Sequence, residues 1–252
     1  RPPRSTLFPS TTLFRSAGWT AEIRRHLFMQ AGLTPGSRIL EVGCGTGAVM
    51  GVISEEFDFN LTGVDIDRPS LYFSQVDNPD YQLSQADGHR LPFADASFNA
   101  VYCHYLLLWV ANPLLMLAEM KRVTRPGGAV IALAEPDYAG RIDYPPPLDE
   151  LGHLQTQSLA RQGAIIDMGA RLTNLFQRTG LTNIYTNTLE NEEGQETDLG
   201  ESLEWKVLRS DLQDTLSEAE LAQFELYEWD ARANGERVMI VPTWYAIGWV
   251  SK

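Results

Sequence analysis

The run Arg38-Ile39-Leu40-Glu41-Val42-Gly43-Cys44-Gly45-Thr46-Gly47 constrains this chain more than any other stretch. Ile39 to Val42 is short, apolar and partly β-branched, with Pro35-Gly36 before it and glycines after it, which reads as a buried parallel strand. Gly43, Gly45 and Gly47 supply a turn whose backbone can adopt positive φ and approach a ligand closely. Ala48 to Ser54 then carries apolar residues at helical spacing. Strand, glycine turn and helix N-terminus in that order make a place for the polar end of a cofactor.

Two cofactor classes fit this stretch taken alone. Gly43-x-Gly45-x-x-Ala48 satisfies a loose dinucleotide fingerprint, and Asp65 stands at a suitable distance for a ribose-binding acid. A nicotinamide enzyme and another kind of nucleoside-cofactor enzyme therefore both remain open. A plain turn is the third reading, but three glycines in five residues cost too much chain entropy for that alone.

The rest of the chain alternates strand and helix. Trp19 to Ala31 reads as an amphipathic helix ending at Gly32. Asn60–Asp65, Tyr81–Asp87, Phe98–Cys103 and Ala129–Ala134 read as further strands, with a helix over Pro113–Val123 and a sharp turn at Pro126-Gly127-Gly128. This pattern predicts an α/β fold, a doubly wound and mostly parallel sheet with helices on both faces. Helical periodicity returns at Leu148–Arg161, near Gly169–Thr179, at Leu203–Leu212 and at Ser217–Ala233. Strands are expected at Thr182–Leu189 and Val238–Val250, seven in all, and residues 191–201 read as an acidic surface loop.

Composition narrows the partners. The formal charge of −13 repels nucleic acid and anionic membrane and favours solubility. No apolar run is long enough to span a bilayer, and no signal-peptide pattern is seen. Cys44 and Cys103 fall in or just after presumed buried strands without disulfide or metal spacing, which fits a reducing cytoplasm. Residues 1–16 resemble the in-frame translation of a sequencing adapter joined to a gene fragment from environmental DNA. They are expected to be foreign to the fold, leaving one domain over 17–252. Its cofactor half would be 17–135, with substrate-side insertions at 136–180 and 191–235.

An ordered series of motifs carries a resemblance. Glu41 to Gly47, Gly63-Val64-Asp65-Ile66, Ala86-Asp87-Gly88, Leu91-Pro92-Phe93, Ser97 to Val101 and Glu119 to Gly128 resemble class I S-adenosylmethionine-dependent methyltransferases, most closely the small-molecule and quinone-type subgroup. The match runs from Arg38 to Leu133. Dehydrogenases do not need the Leu-Pro-Phe block or the Arg-Pro-Gly-Gly turn, so the resemblance favours the methyltransferase. It implies a Rossmann-like methyltransferase fold with a lid of helical insertions. It also implies S-adenosylmethionine as donor, S-adenosylhomocysteine as product and a small-molecule acceptor, methylated at O or N or, alternatively, at a quinone ring carbon. From other classes, a catalytically silent cofactor binder and a nicotinamide oxidoreductase remain as alternatives. A cytoplasmic monomer or homodimer without metal is expected.

The resemblance also assigns residues. Gly43, Cys44, Gly45 and Gly47 would pass beside the methionine portion of the cofactor, and Asp65 would take both ribose hydroxyls. Ile66 would pack on the adenine, Asp87 would accept from its amino group and the Gly88 amide would donate to its ring. Glu41 would orient the loop or reach the methionine amino group, and Trp19 would lie near the cofactor. After the fourth strand, Tyr102-Cys103-His104-Tyr105 and Trp109 should face the methyl group. His104, with an ordinary pKa near neutrality, reads as a base or as a hydrogen-bonded structural histidine, and Tyr102 as its catalytic neighbour. Tyr105, Trp109, Tyr138, Arg141 and Tyr144 are candidates for the substrate pocket.

Overall fold

The structure is a computed structural model and describes residues 18, 20–189 and 203–252. The expected foreign segment at 1–16, Trp19 and the acidic loop at 191–201 lie outside the described residues.

Seven strands form one sheet in the order β3-β2-β1-β4-β5-β9-β7. They are β1 (Arg38–Val42), β2 (Asn60–Asp65), β3 (Gln82–Gln85), β4 (Phe98–His104), β5 (Thr124–Pro136), β7 (Thr182–Thr188) and β9 (Thr243–Trp249). Strands β1 to β5 pair in parallel, whereas β9 runs antiparallel to both β5 and β7. The expected doubly wound sheet is present. The expected strand Val238–Val250 is two strands: β8 (Val238–Ile240) pairs with β6 (Ile142–Tyr144) in a separate ribbon, and the chain enters the main sheet only at Thr243. Pro242 lies between them and has no N–H to continue a ladder. The expected turn at Pro126–Gly128 instead lies within β5, with Gly127 at φ +76°.

Alternation along the buried strands divides the core between two faces. Ile39, Tyr102, Ile131 and Leu133 pack with α1 (Ala21–Gln30) and α2 (Ala48–Glu56). Leu40, Val101, Cys103 and Val130 pack with α4 (Pro113–Val123) and α6 (Met168–Arg178). Side-chain acceptors start the helices where they must. Asp67 takes the Ser70 amide at α3 (Arg68–Asp77), and Asn112 takes the Leu115 amide at α4.

The second half of the chain builds a cap with its own small core. Leu148 and Leu151 of α5 (Leu148–Arg161) meet Trp205, Leu208 and Leu212 of α7 (Leu203–Leu212) and Leu221 and Ala231 of α8 (Glu218–Ala233). Beside it, buried Arg141, Asp143, Glu228 and Arg237 form a chain of ion pairs that ties the β6–β8 ribbon to α8.

Candidate active site

Strand register brings the central residues together. Val42 pairs with Val64 on one side and Cys103 on the other, so Gly43, Asp65 and His104 stand side by side at the carboxyl edge of β1, β2 and β4. Asp65 pairs with Gln85, which puts Asp87 and Gly88 just beyond the same edge. In open parallel sheets this edge is where ligands bind.

The glycine turn is clasped to Asp65. Gly43, Gly45 and Gly47 all have positive φ, at +76°, +52° and +78°. The Gly45 amide donates to Asp65 Oδ2 at 2.7 Å, and the Asp67 amide donates to Oδ1 at 2.8 Å. Burial pushes the Asp65 carboxyl above its usual range, against the pull of those two amides. Each carboxylate oxygen can accept a second hydrogen bond, so both can still serve a pair of hydroxyls. Ile66, 51% exposed, presents an apolar surface beside the buried acid. The Thr46 hydroxyl is buried without a partner inside the turn. An orphaned donor in a turn whose backbone requires glycine fits a bound polar ligand.

The glycines also serve the fold. A Cβ on Gly43 would stand 2.7 Å from Leu106 Cδ1, one on Gly88 would stand 2.5 Å from Met116 Cε, and one on Gly47 would collide with the Ser74 hydroxyl. Leu106 therefore lies directly on the turn and forms one wall of the crevice.

Several expected site residues lie elsewhere. Glu41 and Tyr102 are register partners on the buried face, and the Tyr102 hydroxyl donates to Glu41 Oε2 at 2.6 Å. Tyr102 is fully buried there and is not a catalytic neighbour of His104. Burial pushes the Glu41 carboxyl up to about 8, and its bond to Tyr102 braces β1 against β4. The Cys44 side chain packs with Met50 and Leu71, and only its backbone shapes the turn. Asp87 is at the rim, its carboxylate held by the backbone amide and ring of His89, which keep its pKa low. His89 is absent from the sequence-based list of candidates.

His104 is buried, with its Nε2 3.4 Å from Thr20 Oγ1. Burial first, and the Arg24 charge second, lower its pKa to about 3. It is a neutral imidazole at physiological pH and a poor store for a proton.

Of the five pocket candidates, two meet. Tyr105 and Tyr138 join hydroxyl to hydroxyl at 2.8 Å, and burial first, with the Asp211 charge from α7 adding to it, raises the pKa of both. Trp109 sits half-buried in a short 3-10 turn over Leu107–Trp109. Arg141 spends its guanidinium on Asp143 and Gln155, and Tyr144 lies exposed on the β6–β8 ribbon, so neither lines the crevice. A polar groove of about 540 Å³ between α5 and α7, lined by Ser158, Arg161, Asp211 and Thr215 among others, contains none of the crevice residues.

Residues 40–132 match the model of a methyltransferase domain family. A demethylmenaquinone methyltransferase of Renibacterium salmoninarum is 35% identical over 116 residues, 46% of this chain and 48% of that one. Over that stretch the chain is similar to methyltransferase domains. The methyltransferase match supports the family over the dinucleotide reading of the glycine turn. The fold agrees across nearly the whole chain. A candidate methyltransferase from an antibiotic biosynthesis pathway of Anabaena variabilis superposes with a TM-score of 0.65 at 14% identity, covering 90% of this chain and 96% of that one. A phosphoethanolamine N-methyltransferase of Haemonchus contortus, solved with S-adenosyl-L-methionine, gives 0.57 at 13% identity over 87% of this chain and 50% of that one. The chain spans about half the length of the curated relatives it matches.

Proposed function

We propose that the protein transfers a methyl group from S-adenosylmethionine to an O or N nucleophile of a small molecule. The observation that supports this most is the Gly45–Asp65 clasp, aligned by register with His104 at the carboxyl edge of the sheet. When bound, the sulfonium supplies an electrophilic methyl. Asp65 would take the ribose hydroxyls and Ile66 the adenine face, with Gly88 and Asp87 at the adenine edge and the Thr46 hydroxyl among the turn's donors. Gly43, Gly45 and Gly47 keep side chains out of the cofactor's path.

Methyl transfer from a sulfonium is in-line and needs positioning and exclusion of water more than acid–base chemistry. The cap of α5, α7 and α8 serves as the lid. Tyr105 and Tyr138 orient the acceptor by hydrogen bonds, and neutral His104 can hydrogen-bond a nucleophile or relay its proton without keeping it. A quinone-type ring carbon is the second reading, favoured by the demethylmenaquinone methyltransferase similarity. We place the protein in the cytoplasm as a monomer or homodimer that does not bind nucleic acid. None of the helices among the described residues is long and apolar enough to cross a membrane, and the charge of −13 opposes polyanions.

Calorimetric titration tests the reading. S-adenosylhomocysteine should bind in the low-micromolar to submillimolar range and NADH should give no heat; the reverse would restore the oxidoreductase. Consumption of S-adenosylmethionine against a panel of phenols, amines, thiols and hydroquinones then separates an enzyme from a silent binder and names the acceptor atom.

A further inference from the structure

The loop after β4 is held by a buried acid that neither the motif series nor the proposed chemistry uses. Strand β5 bulges opposite β9, with its register shifting between Ala132 and Glu135 and Ala134 at φ +55°. The extra residue redirects the Glu135 side chain toward the neighbouring strand. Its Oε1 accepts the amides of Leu106 and Leu107 at 2.9 Å each, and its Oε2 accepts the Leu108 amide at 3.2 Å. Tyr105, immediately before these amides, is at φ +53°. Two non-glycine residues in the left-handed region, one in β5 and one just past the end of β4, persist only where the surroundings over-determine them. The loop so held carries Leu106, which lies on Gly43, and Tyr105, whose hydroxyl meets Tyr138.

We propose that Glu135 is the positioning residue of the crevice: by gathering the three amides it sets Leu106 against the glycine turn and Tyr105 against Tyr138, and so sets affinity for the cofactor. This rests on the methyltransferase reading. A carboxylate is needed because it offers two acceptors to three donors, whereas a carboxamide offers one oxygen and turns an NH2 toward the Leu108 amide. Burial opposes the charge and pushes the Glu135 carboxyl up to about 7, a cost the fold bears to keep the acid there.

The test compares Glu135→Gln, Glu135→Ala and Leu106→Ala at about pH 8 by melting, by amide exchange over residues 105–109 and by titration with S-adenosylhomocysteine. Glu135→Ala should speed exchange of the three amides and weaken binding about tenfold, the loss expected when a charge-assisted anchor is removed. Glu135→Gln should recover part of both. Adding Leu106→Ala to Glu135→Ala should cost little more, because the acid acts through Leu106; independent effects would multiply. A Glu135→Ala protein that melts cooperatively and binds within about twofold of wild type overturns the proposal. If that variant does not fold, Glu135→Gln decides, and unchanged exchange with unchanged affinity overturns it. A wild type that does not bind S-adenosylhomocysteine sinks the methyltransferase reading instead, and amide exchange still decides whether Glu135 holds the loop.

Discussion

The crevice at the carboxyl edge of the sheet and the cap bury acids in opposite ways. Around the crevice, Asp65 and Glu135 meet backbone amides and Glu41 meets a phenol. In the cap, Asp143 meets Arg141 and Arg237, while Glu228 meets Arg232 and Arg237. Amides orient a carboxylate without neutralising it, so burial dominates around the crevice and all three carboxyls are pushed up. The difference separates two tasks. Crevice acids hold backbone in shapes a ligand can use at a cost in stability, while cap acids lock one packing of ribbon on helix.

That contrast can be broken by substitution. The largest expected effect is in the cap. Asp143→Ala leaves Arg141 and Arg237 buried beside a missing partner and should cost about 3–5 kcal/mol in denaturant unfolding. Below its melting temperature that variant should still bind S-adenosylhomocysteine within about threefold of wild type, a factor under 1 kcal/mol. A collapse of binding with cap stability intact would erase the distinction between the regions.

Asp65→Ala should behave in reverse, weakening S-adenosylhomocysteine at least tenfold, since charge-assisted bonds contribute about 1.5–3 kcal/mol each. Affinity within about twofold would remove Asp65 from the site.

The raised acids set a pH slope. The native state holds the protons of Glu41 and Glu135 up to about 8 and about 7, above the 4.5 of an unperturbed glutamate. Their contribution to stability is therefore full below about 4.5 and lost as pH rises toward 8. His104 acts oppositely, because its depressed pKa costs stability only as pH falls below about 6.5. Between about pH 6.5 and 8 the denaturant midpoint should fall, and Glu41→Gln should flatten most of that fall. A midpoint that rises over that interval would contradict the assignment.

The smallest effect tests the cap's periphery. Ser217 and Glu220 form a capping box at α8, and Ser217→Ala should cost about 1 kcal/mol without touching cofactor affinity.

The parts of the site readable from sequence are those fixed by local chain geometry. The glycine turn, the acid closing β2 and the helices at Pro113–Val123 and Leu148–Arg161 follow from spacing alone. Alternation along β4 does not reveal which residue is last before the edge; the structure ends the strand at His104, which leaves Tyr102 in its interior. Arg141 reads as a rim residue until β6 folds beside α5 and brings Gln155 to it. Glu135, Leu106 and His89 owe their positions to a bulge or to partners far along the chain, which no local pattern records. Thr46 lies within the motif, but its local spacing does not reveal that its hydroxyl is buried without a partner. Pro242 was a legible signal for dividing the last strand.

A crystal soaked with S-adenosylhomocysteine is the most direct trial. The nucleoside should lie along Gly43–Gly47 with its ribose hydroxyls on Asp65 and Leu106 forming the wall beside it. Density elsewhere, or Leu106 filling an empty crevice in crystals that hold the nucleoside, would contradict the proposed site.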